Sequence, residues 1–99
     1  MTLIYIAGKY TGDQAENVRK AVMAGDRLLE KGYIPYIPHL SHLWHLISPH
    51  DYETWIKIGL AILERCDAIY MMKGYRESFG ALKELDFAQS IGLEVIYGI

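Results

Sequence analysis

Leu3-Ile4-Tyr5-Ile6-Ala7-Gly8 is the stretch on which the fold turns. Five residues with no polar alternation, closed by a glycine, do not suit a strand with one wet face. Such a run is buried on both faces, as in the centre of a parallel sheet. Parallel neighbours must be reached by crossovers, usually helical, and the following residues supply them. After Gly8-Lys9-Tyr10-Thr11-Gly12, Asp13 and Glu16 have the spacing of a capping box. Ala15, Val18, Val22, Gly25 and Leu29 then recur at helical period as far as Gly32, a helix-ending glycine. Tyr33 to Pro38 is β-rich but carries two prolines, which predicts a short strand at a sheet edge.

Residues 39–47, His-Leu-Ser-His-Leu-Trp-His-Leu-Ile, follow no clean period and read as a loop or one irregular turn. Ser48-Pro49-His50-Asp51 reads as a helix start, with Ser48 as cap and Pro49 at the first helical position. The helix expected over 49–65 has its stripe at Tyr52, Trp55, Gly59, Leu63 and Cys66. Ala68 to Met72 is a third strand, Ser78 to Ile91 a third helix capped by Ser78, and Leu93 to Tyr97 a last strand. The order β-α-β-α-β-α-β predicts one α/β domain over 1–99, a short, mainly parallel four-stranded sheet covered by helices on both faces. Ligands of such sheets bind at the carboxyl ends of the strands, where strand order reverses, which points at the loops 8–12, 38–48 and 73–78.

Composition narrows the partners. With 99 residues, 52% of them apolar, the chain has material for one core and little for a second domain. Ten Lys and Arg against 12 Asp and Glu, with no basic run beyond Arg19-Lys20, argue against a nucleic-acid polymer or a membrane surface as partner. A nucleic-acid-like ligand should be small. Cys66 is the sole cysteine and can form no internal disulfide, and no signal peptide or membrane span is discernible, so the chain reads as a cytoplasmic protein.

Several residues could carry chemistry. The loop 8–12 leads to a helix N-terminus suited to an anion, yet it has the spacing of neither a P-loop nor a dinucleotide fingerprint. A tight turn alone would explain its glycines equally well. Glu84 lies three residues after Ala81 and four before Ala88, on or beside the stripe that faces the sheet. A carboxylate there must be paired, hydrogen-bonded or functional, or else mark the stripe's boundary. His39, His42, His45 and His50 could converge on a metal, but their more ordinary use, with Trp44 and Trp55, is as polar contacts in a pocket lid or a subunit contact. One of them could also serve as an acid toward a leaving group. Cys66 reads as packing rather than as a nucleophile, and Tyr5 as core filler or as a hydroxyl aimed at a ligand.

Taken together, Ile4-Tyr5-Ile6-Ala7-Gly8, Cys66-Asp67-Ala68-Ile69 and Ser78-x-Gly80-Ala81-x-x-Glu84 resemble the nucleoside 2-deoxyribosyltransferase superfamily, and most closely its small DUF4406-like branch. The resemblance spans nearly the whole chain, and its most specific part is S-x-G-x-x-x-E after an aspartate-led strand. It implies a flavodoxin-like Rossmannoid three-layer sandwich, usually oligomeric, that cleaves N-glycosidic bonds of nucleosides or nucleoside monophosphates without cofactor or metal. Glu84 matches the nucleophile. By the same resemblance Tyr5, Gly8, Lys9 and Thr11 would contact the sugar and any 5′-phosphate, Ser78 and Gly80 would close the phosphate or 5′-hydroxyl pocket, and Asp67 would join the substrate-binding set or merely start its strand. One departure is plain. Where the family commonly carries an aspartate eight residues before the Asp67 position, this chain has Gly59, through close packing or loss of a catalytic group. Asp51 or a histidine could supply what is missing.

Three readings therefore compete. The first is a nucleoside deoxyribosyltransferase or N-glycosidase using Glu84, built as a homodimer or larger assembly with segment 39–55 in the contact. The second is a nucleotide-binding domain that has lost turnover, and the third a metal-dependent hydrolase built on the histidines.

Overall fold

The computed structural model describes residues 1–98. Four strands form one sheet: β1 (Leu3–Ala7), β2 (Ile34–Tyr36), β3 (Ala68–Met71) and β4 (Glu94–Tyr97). They are all parallel and ordered β2-β1-β3-β4. Tyr5 stands opposite Tyr36 on one side and Ile69 on the other. The run that opened the sequence reading is thus a central strand, and its two faces enter two separate cores. Ile4 and Ile6 pack with Ala21, Ala24 and Leu28 of α1 (Gln14–Glu30). Tyr5 and Ala7 pack on the other face with Leu63 of α3 (Tyr52–Leu63) and with Ala81 and Ala88 of α4 (Phe79–Ser90). Helices cover both faces, as the α/β three-layer reading expects.

The helix ends follow the side chains that satisfy free backbone N–H groups. Asp13 accepts from the Glu16 N–H at the start of α1, and Ser78 accepts from the Ala81 N–H at the start of α4, both as the sequence predicts. Gly32 adopts φ +94° just past α1, where a left-handed turn releases the chain toward β2. α3 differs. It begins at Tyr52 with Asp51 as cap, accepting from the Thr54 N–H at 2.9 Å, rather than at Ser48-Pro49. Ser48 is drawn the other way, its N–H bonding the Trp44 carbonyl and closing the preceding helix.

That preceding helix is the second correction. Residues 39–47 are not irregular: a 3-10 turn over Pro38–Leu40 runs into α2 (Ser41–Ile47). Proline at the first position of the turn starts the coil. No residue of α2 is buried: its apolar residues Leu43, Leu46 and Ile47 are exposed and interleaved with His42, Trp44 and His45, so the segment lacks the clean division into a buried and a polar face that marks the other helices. Among the described residues no helix is long and apolar enough to cross a membrane.

Candidate active site

The connection from β1 leads to the edge strand β2, while the chain beyond β3 leads the other way to β4, so β1 and β3 form the switch point of the sheet. A cavity of about 460 Å³ opens there, within the range of small-molecule sites. All three loops expected from the sequence reach it. The first gives Gly8, Tyr10 and Thr11, the second Pro38 and His39, and the start of α4 gives Ser78, Gly80 and Ala81. Tyr5 and Glu84 lie at the base of this arrangement, where β1 meets α4.

Glu84 is 9% exposed and faces inward from α4, toward the sheet. Its Oε2 accepts a hydrogen bond from the Tyr5 hydroxyl, which is fully buried. Burial pushes the Glu84 carboxyl up and the Tyr5 hydrogen bond draws it partly back, which leaves it at about 7. Tyr5 is held protonated, far above the ordinary tyrosine range, first by burial and then by the neighbouring carboxylate. The pair therefore has fixed roles: Tyr5 donates, and Glu84 is a carboxylate close to its own titration point at neutral pH. Perturbation of this kind, inside a cleft, is a mark of functional groups.

Gly59 sits beside this pair. A Cβ built on it would lie 2.6 Å from the Tyr5 hydroxyl and 3.5 Å from Glu84 Oε2. Glycine here is close packing: the Tyr5 hydroxyl fills the space that a side chain from α3 would need. Gly8 is confined in the same way, a Cβ on it falling 2.5 Å from Met72 Sδ, which fixes the first loop against the end of β3.

Tyr5, Gly8, Thr11, Ser78, Gly80 and Glu84 are brought together, and two residues of the sequence-based set are not. Asp67 is at the other end of the sheet, where its carboxylate accepts from the Leu3 N–H at 2.8 Å and ties the starts of β1 and β3. The Lys9 side chain is exposed, although its carbonyl and that of Gly8 accept from His39 Nε2 at 3.3 and 3.2 Å. Asp51 is consumed as the α3 cap and does not supply a second carboxylate.

The histidines do not converge. Among the described residues no three His, Cys, Asp or Glu side chains are grouped to hold a metal ion. His42 Nδ1 is bonded to the Tyr10 hydroxyl, and His39 is buried with its Nδ1 unpartnered among the described groups. Burial holds His39 below the ordinary histidine range, against its two carbonyl bonds, so it stays neutral with the proton on Nε2. His45 and His50 join Trp55 in the cavity wall, with the Trp44 and Trp55 rings 5.0 Å apart and nearly perpendicular. Tyr10, from the loop 8–12 expected to meet the ligand, lines the cavity, as do Tyr52 and Ile56, which the sequence placed only in the helix over 49–65. The histidines with Trp44 and Trp55, expected as a lid or a subunit contact, were the signal for that wall.

Fold and site define the class. A solved structure described as a 2-desoxiribosyltransferase from Leishmania mexicana superposes with a TM-score of 0.65 at 25% identity, the match covering 98% of this chain and 63% of that one. The protein has the flavodoxin-like fold of the nucleoside 2-deoxyribosyltransferase-like superfamily, spanning less than two thirds of that relative's length. Within that class, residues 2–97 match the family described as a domain of unknown function, DUF4406, and the chain belongs to it. No curated protein sequence matches it.

Proposed function

We propose that the protein cleaves or transfers at the N-glycosidic bond of a nucleoside, deoxynucleoside or nucleoside 5′-monophosphate, with Glu84 as nucleophile. The observation that carries this is the buried Glu84 held through Oε2 by Tyr5 at the base of the switch-point cavity. The solved relative's description as a deoxyribosyltransferase supports it. Glu84 Oε1 has no bond to any described residue and is the oxygen left to attack the anomeric carbon. The base departs with the electrons of the C–N bond, a glycosyl ester forms, and water or a second base releases the sugar. Tyr5 fixes the direction of attack.

Gly8 and Thr11 are assigned to the sugar, and Ser78 and Gly80 to the 5′ end, where first-turn amides of α4 favour a phosphate. Neither Lys9 nor Asp67 lines the cavity, and neither is given a part. The test is chromatographic release of free base from ribo- and deoxynucleosides and their 5′-monophosphates, with Glu84→Gln alongside and mass spectrometry for the ester. Release by wild type alone supports the reading, and equal release by Glu84→Gln ends it. A second reading, a binding domain without turnover, is favoured by Glu84 being the sole carboxylate in the cavity wall among the described residues. It predicts thermal stabilisation by ligand with no release of base.

We propose as well that α2 meets a second copy of the chain. Leu40, Leu43, Leu46 and Ile47 are 58%, 64%, 63% and 76% exposed, a contiguous apolar surface of the kind oligomers cover. Light scattering that shows only monomer at micromolar concentration removes that idea. A lone cysteine fits a place in the reducing cytoplasm.

A further inference from the structure

His45 is held by side chains rather than by core packing. Its Nδ1 faces two N–H groups, the Trp55 indole Nε1–H at 2.9 Å and the His50 backbone N–H at 3.2 Å. A ring nitrogen that accepts must carry a lone pair, so the proton of the neutral imidazole is on Nε2. The indole is itself fixed, with the Trp44 and His50 rings packed edge-on against it at 5.0 and 5.5 Å. Nε2–H meets no acceptor among the described residues, and the His45 ring lines the same cavity as Glu84.

We propose that His45 receives the nucleobase, its Nε2–H donating to a ring nitrogen or carbonyl oxygen of the base. This rests on the N-glycoside reading of the cavity and adds its base-recognising side. Bases that present an acceptor toward α2 are selected, and those that present a donor there are rejected, because two donors would face each other. As a Glu84 oxygen bonds to the anomeric carbon, the C–N bond breaks and its electron pair leaves with the base. The negative charge spreads through the ring to the atom that His45 holds. The proton stays on His45, and the base takes one from water after release. Trp55 is a positioning residue that acts through His45.

The first experiment is long-range proton–nitrogen NMR of the imidazoles, with free adenine, hypoxanthine, cytosine and thymine added in turn. The expected result is a His45 proton on Nε2 whose resonance moves with at least one base. A proton on Nδ1, or an Nε2–H that no base moves, overturns the proposal. The second measures kcat for base release. His45→Phe is expected to lower it about a hundredfold on the preferred nucleoside, as for loss of a donor to developing negative charge. On a 4-nitrophenyl deoxyriboside, whose phenolate leaves unaided, the loss is at least about tenfold smaller, and His45→Gln, which retains an N–H, recovers part of the nucleoside rate. Equal losses on both substrates mean a structural role and overturn it. Trp55→Phe leaves His45 in place should His45→Phe fail to fold. The His50 N–H still holds the proton on Nε2, so the variant is expected to keep the tautomer and to lose more kcat on the nucleoside than on the 4-nitrophenyl deoxyriboside, and equal losses on both speak against the assignment. A base-induced shift without cleavage of any substrate defeats the glycosidic reading while base binding by His45 stands.

Discussion

Gly59 and Tyr5 are complementary in shape: a Cβ on residue 59 would fall 2.6 Å from the Tyr5 hydroxyl, the group that holds Glu84. Tyr5 is fully buried, and swinging aside would break its bond to Glu84. Gly59→Ala therefore collides with the residue that holds Glu84. Its expected cost is about 1–3 kcal/mol of overpacking, which outweighs the gain of about 1 kcal/mol from replacing glycine inside a helix. Denaturant unfolding checks the sign. Adding Tyr5→Phe removes the colliding oxygen, so the double variant should recover stability beyond the sum of the two single changes. Strict additivity would show that the two residues are independent.

Tyr5→Phe by itself removes the one contact that draws the burial-raised Glu84 carboxyl down to about 7. On the proposed mechanism Glu84 must be ionised to attack, so activity is expected to rise with pH through that value. In the variant the rising limb of the pH–rate profile is expected to move to higher pH, with reduced kcat at neutrality. A limb that stays in place means that Glu84 is not the titrating group.

The same carboxyl ties stability to pH. Its folded value, about 7, lies above the ordinary 4.5, so between the two the folded protein keeps a proton that the unfolded chain gives up. The stability this confers is full below about pH 4.5 and is lost as pH rises through 7. Glu84→Gln never ionises, so its stability relative to wild type should grow between pH 5 and 8, by on the order of 3 kcal/mol at most. Parallel stability curves for the two proteins would refute this.

Cys66 is 5% exposed, its thiol bonded to the Ile62 carbonyl and pushed up to about 11 by burial and then by Asp67. Iodoacetamide at pH 7 should modify it only as the protein unfolds, at a rate that rises with denaturant. Rapid labelling of the native protein is the contrary outcome.

What the sequence disclosed followed from where burial was strong. The run at Leu3 to Ala7 announced a strand between two cores, and the capping patterns at Asp13 and Ser78 placed two helix starts to the residue. Glu84 was legible because its place in the Ala81–Ala88 stripe forced it inward. α2 was hidden because it buries nothing, and the α3 start was misplaced because Ser48-Pro49 and Asp51 are both good caps and only Ser48's bond back to Trp44 decides between them. The resemblance carried Asp67 into the site, but its position at the head of β3 directs it to the Leu3 N–H. Gly59 has a packing reason that local spacing does not show, because the side chain that crowds it, Tyr5, lies 54 residues earlier in the chain.

The hydrogen bond between Tyr5 and Glu84 joins residues 79 apart in sequence, the first strand to the last helix. Every strand pairing in the sheet is parallel, so none can close as a local hairpin. Each pairing waits for loop closure over an intervening helix, which is the slow, non-local kind of folding event. A nascent chain that has not yet delivered α4 contains the tyrosine but not the carboxylate, and a fragment lacking β1 contains the reverse. The Tyr5–Glu84 bond thus cannot form until the two ends of the domain have met, and its appearance during refolding would time the completion of the fold itself.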